Sequence, residues 1–470
     1  MDIFELFKPI RNKIRGLNLQ ASLDELYLLK SRGQILPEVG EFLYINLILY
    51  ADAPSINSKH KDSFEKVLNL CNALNGKIAE LKIETEVWRW LHTLALSQLK
   101  AKYNGYKNSV YRYYYIFSEE SISKHIENVI GIPYKDYFIC ALWLHAVFVK
   151  KFASPKAYFI GKNNGSVIFS KENMLKTLDL LSLSLYDLRI QLKQVTKFDE
   201  DLFILHGYPH LLKPLLEKDG NLYCMYPDHL QAQFLSGIYY IASVGDKKNK
   251  LANAFGKSFE QYLGMVLKKN NTNDLFQIIE EIEFSYKSNK LKTSDWIVKS
   301  SDAITFIECK TKRLRLPSKT MLSSAESLSV DIDFMAAAVT QLYKVYDHYK
   351  NDRIPGLKYD SKMKFIPMVV TLEEWFAGGP DIKEKLTESV KTALIKADIP
   401  LQVLDEYNFR TYSINAFEWD VQIMFQLDFL QYLEKLSNGE INENFQKEFP
   451  YIEYYEEEFE KTFMDAARAV

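Results

Sequence analysis

Four cysteines in 470 residues are too few and too scattered for a disulfide framework. Cys71, Cys140, Cys224 and Cys309 show no pairing pattern, and reduced thiols in a cytoplasm fit them best. Long apolar runs are missing as well. The longest, Tyr137 to Val149, contains His145 and falls short of the roughly 18–20 residues that a spanning helix requires. The opening MDIFELFKPIRNK carries an acid at position 2 and no apolar stretch of signal-peptide length, so a cytoplasmic chain with no membrane partner is expected. Charge of one sign is also absent: the net value of −2 says little about partners, because a balanced total hides local patches. No Gly-x-x-x-x-Gly-Lys-Ser/Thr loop occurs, which argues against an ATPase or helicase motor in this chain. No Ser/His/Asp set has a nucleophile elbow. Internal repeats and low-complexity linkers are lacking too.

What remains is a chain that is 47% apolar and 26% charged, the composition of a soluble globular protein with ample core. Its length predicts two to four domains. Residues 1–152 read as a mainly α-helical domain, since ASLDELYLLKSR, SFEKVLNLCNALNGKIAELK and ETEVWRWLHTLALSQLKAKY carry apolar residues at spacings of three and four. The tyrosine cluster SVYRYYYIF (109–117) fits a strand or a buried helix. Residues 153–245 read as a small mixed segment in which LLKPLLEKDGNLYCMYP (211–227) forms a hairpin turned by KDG. The polar GDKKNK (245–250) marks a boundary.

From 251 to 416 the order becomes regular. AFGKSFEQYLGMVLKKN predicts a helix, QIIEEIEFSY a strand, and SDWIV with AITFIECKT a hairpin. DIDFMAAAVTQLYKVYDHYK predicts a helix, KFIPMVVTL a buried strand, KEKLTESVKTALIKAD a helix and PLQVLDEYNF a last strand. This pattern is an α/β domain with a mixed central sheet flanked by helices. Residues 417–470 form a helical extension ending in the acidic run EYYEEEFE.

The chemistry concentrates in the hairpin. Its turn centre lies between Ser301 and Asp302, so a symmetric loop opposes Asp295 and Glu308, with Cβ atoms roughly 4.5–5.5 Å apart. Lys310, two residues on, emerges on the same face. Two opposed, partly desolvated carboxylates repel, and both effects raise their pKa values. Lys310 offsets one charge, and a divalent cation with oxygen ligands, Mg²⁺ or Mn²⁺ rather than Zn²⁺, would offset two more. Glu-x-Lys by itself is weak: it recurs at Glu80–Lys82 inside a helix, as a solvated face. The cluster could also be an edge-strand ion group that discourages aggregation.

The order of elements and these residues together resemble the PD-(D/E)xK, restriction-endonuclease-like, nuclease superfamily over residues 251–410. The match rests on Glu260 in the preceding helix, Asp295 opening the second strand, Glu308-Cys309-Lys310 on the third, and Gln341 in the following helix. Ser294 stands where the family's Pro would be. The resemblance implies a C-terminal nuclease domain in which Asp295, Glu308 and the Cys309 carbonyl ligate Mg²⁺ (with Mn²⁺ able to substitute). It implies that Glu260 ligates directly, through water or at a second site, that Lys310 orients the attacking water, and that Gln341 positions the site or touches the substrate backbone. The implied activity is metal-dependent phosphodiester hydrolysis, of DNA before RNA, in bacterial defence or DNA processing. A nucleic-acid-binding scaffold with a degenerate nuclease fold is the alternative.

KTKRLRLPSK leaves the catalytic strand with no acid, so Lys312, Arg313, Arg315 and Lys319 are candidate phosphate contacts. The first 250 residues are left for substrate choice or for a partner subunit or second copy. The aromatic richness there suits stacking platforms for single strands or, more plainly, core. His206 and His210 are four apart, but Gly207 and Pro209 break the helix on which paired ligands would share a face. A zinc site drawing on Cys224 and His229 stays open.

Overall fold

Amphipathic spacing in the first half folds into helices that open the chain: α1 (Ile3–Ile14), α2 (Leu19–Ser31), α3 (Pro37–Tyr50), α4 (His60–Gln98), α5 (Tyr106–Phe117), α6 (Glu120–Ile130) and α7 (Tyr134–Lys150). The computed structural model describes residues 3–56, 58–98, 106–161, 169–195, 209–244, 246, 249–312, 325–375, 380–442, 445, 448–449 and 452–468. The tyrosine cluster is the helix α5, which buries Val110, Tyr111, Tyr113 and Phe117.

A mixed stretch follows: β1 (Ala153–Pro155), α8 (Lys156–Gly161), α9 (Lys171–Leu181), β2 (Ser182–Ser184), α10 (Leu185–Val195), α11 (Pro209–Leu212), β3 (Leu215–Lys218), β4 (Asn221–Tyr223), α12 (Pro227–Ala232) and α13 (Ile238–Ser243). Its strands form a sheet in the order β1-β4-β3-β2. The KDG turn joins β3 to β4, with Asp219 and Gly220 at φ 49° and 74°, the left-handed pair that a two-residue hairpin turn requires.

Next come α14 (Lys250–Asn270), β5 (Gln277–Glu280), β6 (Glu283–Tyr286), β7 (Asn289–Lys292), β8 (Trp296–Lys299) and β9 (Ala303–Lys310). They lead into α15 (Ala325–Lys350), β10 (Lys364–Thr371), α16 (Pro380–Lys396), α17 (Gln402–Glu406) and β11 (Arg410–Ser413). Helices α18 (Ile414–Leu427), α19 (Phe429–Ser437) and α20 (Glu457–Arg468) close the chain.

A five-stranded mixed sheet, β11-β10-β9-β8-β5, organises this half. β9, β10 and β11 run parallel, whereas β8 is antiparallel to both β9 and β5. The protein is therefore of mixed α/β class. Two details differ from the expected elements. QIIEEIEFSY divides into β5 and β6, and β6 pairs with β7 as a separate hairpin. PLQVLDEYNF holds the helix α17 rather than a strand, because Val403, Leu404 and Tyr407 pack at helical spacing, and the closing strand starts at Arg410.

Period-two alternation divides the sheet's side chains between two cores. Trp296, Val298, Ile307 and Cys309 join Phe259, Tyr262 and Leu263 of α14 on one face. Ile297, Ile304 and Phe306 join Val339, Leu342 and Tyr343 of α15 on the other. The first of these cores also takes in Val110 of α5, Phe138 of α7 and Phe459 of α20. No helix among the described residues is long and apolar enough to cross a membrane.

Candidate active site

The hairpin β8–β9 sets the geometry. Trp296 pairs with Ile307, Ile297 with Phe306 and Val298 with Thr305, so one further step opposes Asp295, just before β8, to Glu308. Ser300 N–H donates to the Ala303 carbonyl at 2.9 Å and closes the turn. The Cys309 N–H donates to Asp295 Oδ2 at 2.7 Å, which ties the carboxylate across to the neighbouring strand. Lys310 Nζ donates to Glu308 Oε1 at 2.5 Å. The second Glu308 oxygen, Oε2, has no hydrogen-bond partner among the described residues, although the residue is only 3% exposed. Leaving a buried acceptor unsatisfied costs about 1–3 kcal/mol, more when it is charged.

The electrostatics follow from that burial. Burial, then the charges of Glu308 and Glu260, push the Asp295 carboxyl up to about 7, against the Cys309 N–H and Lys310. Burial likewise raises Glu308, with Glu260 and Glu281 adding repulsion and Lys310 opposing it. Desolvation works against the Lys310 ammonium, yet Glu308 and Asp295 hold its pKa above the ordinary lysine value. Burial drives the Cys309 thiol well above its usual range, so its sulfur is a core group under α14 and not a thiolate.

Glu260 reaches the same place from α14. Trp296 Nε1 donates to the Glu260 carbonyl at 2.9 Å, which locks that turn of the helix over the start of β8. The approach needs Gly264: a Cβ there would fall within 2.8 Å of Trp296 Cε2, and nearer still to Cζ2. The Glu260 side chain is 26% exposed and pairs with Lys257 at 3.0 Å. Asp295, Glu308 and Glu260 do not bring three carboxylate oxygens within 4.8 Å of one another.

An open cleft of about 780 Å³ leads to Asp295, lined by Lys257, Glu260, Lys268, Lys269 and Glu281 among others. Glu281 is a fourth acid that the sequence reading passed over. It directly follows β5, pairs with Lys292 at 2.6 Å and repels Glu308. Its signal was the doubled acid in QIIEEIEF. Lys257, Lys268 and Lys269 of α14 were missed as well; Lys257 and Lys268 stand on one stripe of the helix with Gln261 and Gly264 between them, and all four line the cleft.

Other expected residues fall differently. Gln341 is exposed on α15, so it is no buried amide, and no described hydrogen bond joins it to Asp295, Glu308 or Lys310. Lys312 lies at the mouth of the strand, its Nζ 5.4 Å from the centre of the Phe334 ring and its carbonyl accepting from Trp375 Nε1 at 3.3 Å. Arg313, Arg315 and Lys319 lie outside the described residues.

No protein-family model matches the chain, and neither does any curated protein or solved structure. The chemistry therefore has to be argued from the donors themselves. They are hard carboxylate oxygens, two of them opposed and one uncompensated. Such a set suits a divalent cation of the Mg²⁺ or Mn²⁺ type better than one that favours nitrogen or sulfur.

Proposed function

We propose that the chain is a Mg²⁺-dependent phosphodiesterase acting on nucleic acid, DNA ahead of RNA, with a restriction-endonuclease-like domain at 251–416. The observation that carries this reading is the buried, unpartnered Glu308 Oε2 beside Lys310 and opposite Asp295. A purely structural ion cluster has no reason to strand a carboxylate oxygen in this way. The order α14-β5-β8-β9-α15-β10-α16-β11, with the acid before the second of these strands and Glu-x-Lys ending the third, supports the domain assignment.

Asp295 and Glu308 would hold the cation, and Glu260 and Glu281, which line the same cleft as Asp295, would add negative charge that attracts it. The bound ion would supply positive charge to the scissile phosphate and acidify a water molecule. Lys310, an ammonium kept charged by two carboxylates, would orient that water and offset charge growing on the phosphoryl oxygens. The Cys309 N–H fixes the Asp295 carboxylate, so one ligand is oriented before any ion arrives. Lys257, Lys268 and Lys269 around the cleft would meet the phosphate backbone without reading sequence.

The test is incubation of the full chain with plasmid, linear duplex, single strands and RNA, with Mg²⁺, with Mn²⁺ and with chelator. Cleavage is expected only with the metal, falling at least about 100-fold in Asp295→Ala and Lys310→Ala. Cleavage that survives both substitutions, or that needs no metal, would remove this mechanism. Cutting of RNA alone would change the substrate and keep the site. No cleavage of any substrate would favour the scaffold.

A further inference from the structure

A second group of metal-ligating side chains converges far from the hairpin, where three helices meet. Glu41 comes from α3, His210 from the short α11 and His229 from α12. Each offers one ligand atom, and the three atoms lie within 4.8 Å of one another. His229 Nε2 and Glu41 Oε1 are already 2.7 Å apart, and the two imidazole centroids are 5.7 Å apart. His210 is 2% exposed and His229 8% exposed, while the Glu41 side chain, 24% exposed, reaches them from the edge of the buried region.

A second observation points the same way. The ring of Tyr226 stacks on His229 with centroids 5.0 Å apart, and its buried hydroxyl has no hydrogen-bond partner among the described residues. That hydroxyl lies beside the residue preceding Glu41, 3.1 Å from where a Cβ on Gly40 would sit. Two imidazoles, a carboxylate and an unsatisfied phenol thus lie together. A Glu41–His229 hydrogen bond alone accounts for the 2.7 Å contact. It does not account for a second imidazole on the same carboxylate or for the stranded hydroxyl.

We propose that Glu41, His210 and His229 form a Zn²⁺ site that pins α3 to the α11–α12 segment. Imidazole nitrogen selects a borderline-soft ion such as Zn²⁺ over Mg²⁺, so this site and the hairpin differ in the metal they take. Bonds of about 2.0–2.1 Å in a tetrahedron place ligand atoms about 3.4 Å apart. The Glu41–His229 pair, at 2.7 Å, would open by about 0.7 Å, and the other pairs, within 4.8 Å, would close by at most about 1.4 Å to reach that spacing. Three protein ligands leave a fourth position for water, and the Tyr226 hydroxyl is the nearby group able to bond it. Cys224, which the sequence left open as a ligand, is not among the ligands: burial raises its thiol to about 12, and it packs in the apolar core. His206 lies outside the described residues.

The inference is independent of the nuclease reading, and its test keeps the two apart. The full chain carrying Asp295→Ala, whose hairpin site is disabled, is stripped with chelator, incubated with Zn²⁺, desalted and assayed for bound metal. About one Zn²⁺ per chain is expected, and Co²⁺ in its place should give the intense visible absorption of a four-coordinate ion. Added His210→Gln or Glu41→Gln should each lower retained Zn²⁺ at least about ten-fold while circular dichroism stays unchanged; Cys224→Ser should not. Should either variant fail to fold, the Co²⁺ spectrum of the parent chain decides. A parent chain that retains less than about a tenth of an equivalent and shows no Co²⁺ bands overturns the site, as does full retention in both variants.

Discussion

Asp295→Asn separates a metal site from an inert ion cluster, and its effect can be worked from the geometry. An ordinary aspartate near 3.8 is raised to about 7 here, by burial and by Glu308 and Glu260. A carboxyl whose folded pKa lies above its unfolded value contributes stability that is fully present below about pH 4. That contribution is lost as pH rises through 7, because the folded chain must then ionise a desolvated acid. Three units at about 1.4 kcal/mol each make the loss about 4 kcal/mol. Glu308 shares the repulsion, and residual solvent screens part of it, so about 2–4 kcal/mol is the expected range. Asparagine keeps the shape and still accepts from the Cys309 N–H through its amide oxygen, but cannot ionise. In chelator at pH 8, urea unfolding followed by circular dichroism should find Asp295→Asn the more stable protein by that amount. At pH 4 the two should agree within about 0.5 kcal/mol. Mg²⁺ should then reverse the order: at a hundred times its Kd it stabilises a binding chain by about 2.7 kcal/mol, and the variant should gain little. A variant less stable than the parent in chelator at pH 8, or one that Mg²⁺ stabilises equally, would refute the reasoning.

Three further outcomes follow from single contacts. Gly264→Ala should lower stability by about 1–3 kcal/mol in thermal unfolding despite alanine's better helix propensity, because the new methyl displaces the Trp296 indole; cleavage should fall too, since that indole fixes the Glu260 turn. Arg112→Met should cost about 3–5 kcal/mol, because it strands Glu418, whose side chain is 6% exposed, while the paired Arg112→Met/Glu418→Met chain recovers most of the loss in the same melt. Lys268→Ala should weaken nucleic-acid binding on all sequences alike and reduce the slope of log affinity against log salt by about one; an unchanged slope removes the cleft lysines from the interface.

The hairpin could be read from the chain because its determinants are local. Alternating apolar residues in WIV and AITFI, with the polar SSD between them, permit one register, and that register opposes Asp295 to Glu308 without knowledge of anything else in the molecule. Lys310 follows from the period of two. The same logic explains the errors nearby. PLQVLDEYNF has strand-like composition, but Val403, Leu404 and Tyr407 are needed on one helical face against α15 and α16, and tertiary packing overrides local preference. On α15, the helix phase that buries Leu342, Val345 and Tyr346 leaves Gln341 exposed, which fits a contact with substrate better than a buried structural amide.

What the chain hid was long-range pairing. Arg112 Nε donates to Glu418 Oε1 at 2.8 Å across a separation of 306 residues, and Tyr262 Oη donates to the same oxygen at 2.7 Å. Nothing local in YRYYY or FEWD announces that bond. Yet it joins α5, α14 and α18, and α14 is the helix that carries Glu260 and accepts Trp296. The candidate site therefore depends on the amino-terminal helices for its support. One face of its sheet is completed by Phe138, Val110 and Phe459, which come from both ends of the chain. A change in those helices has a direct mechanical route to the cleft: through the Arg112–Glu418–Tyr262 contact to α14, from α14 through Gly264 to Trp296, and from Trp296 to the carboxylate next to it.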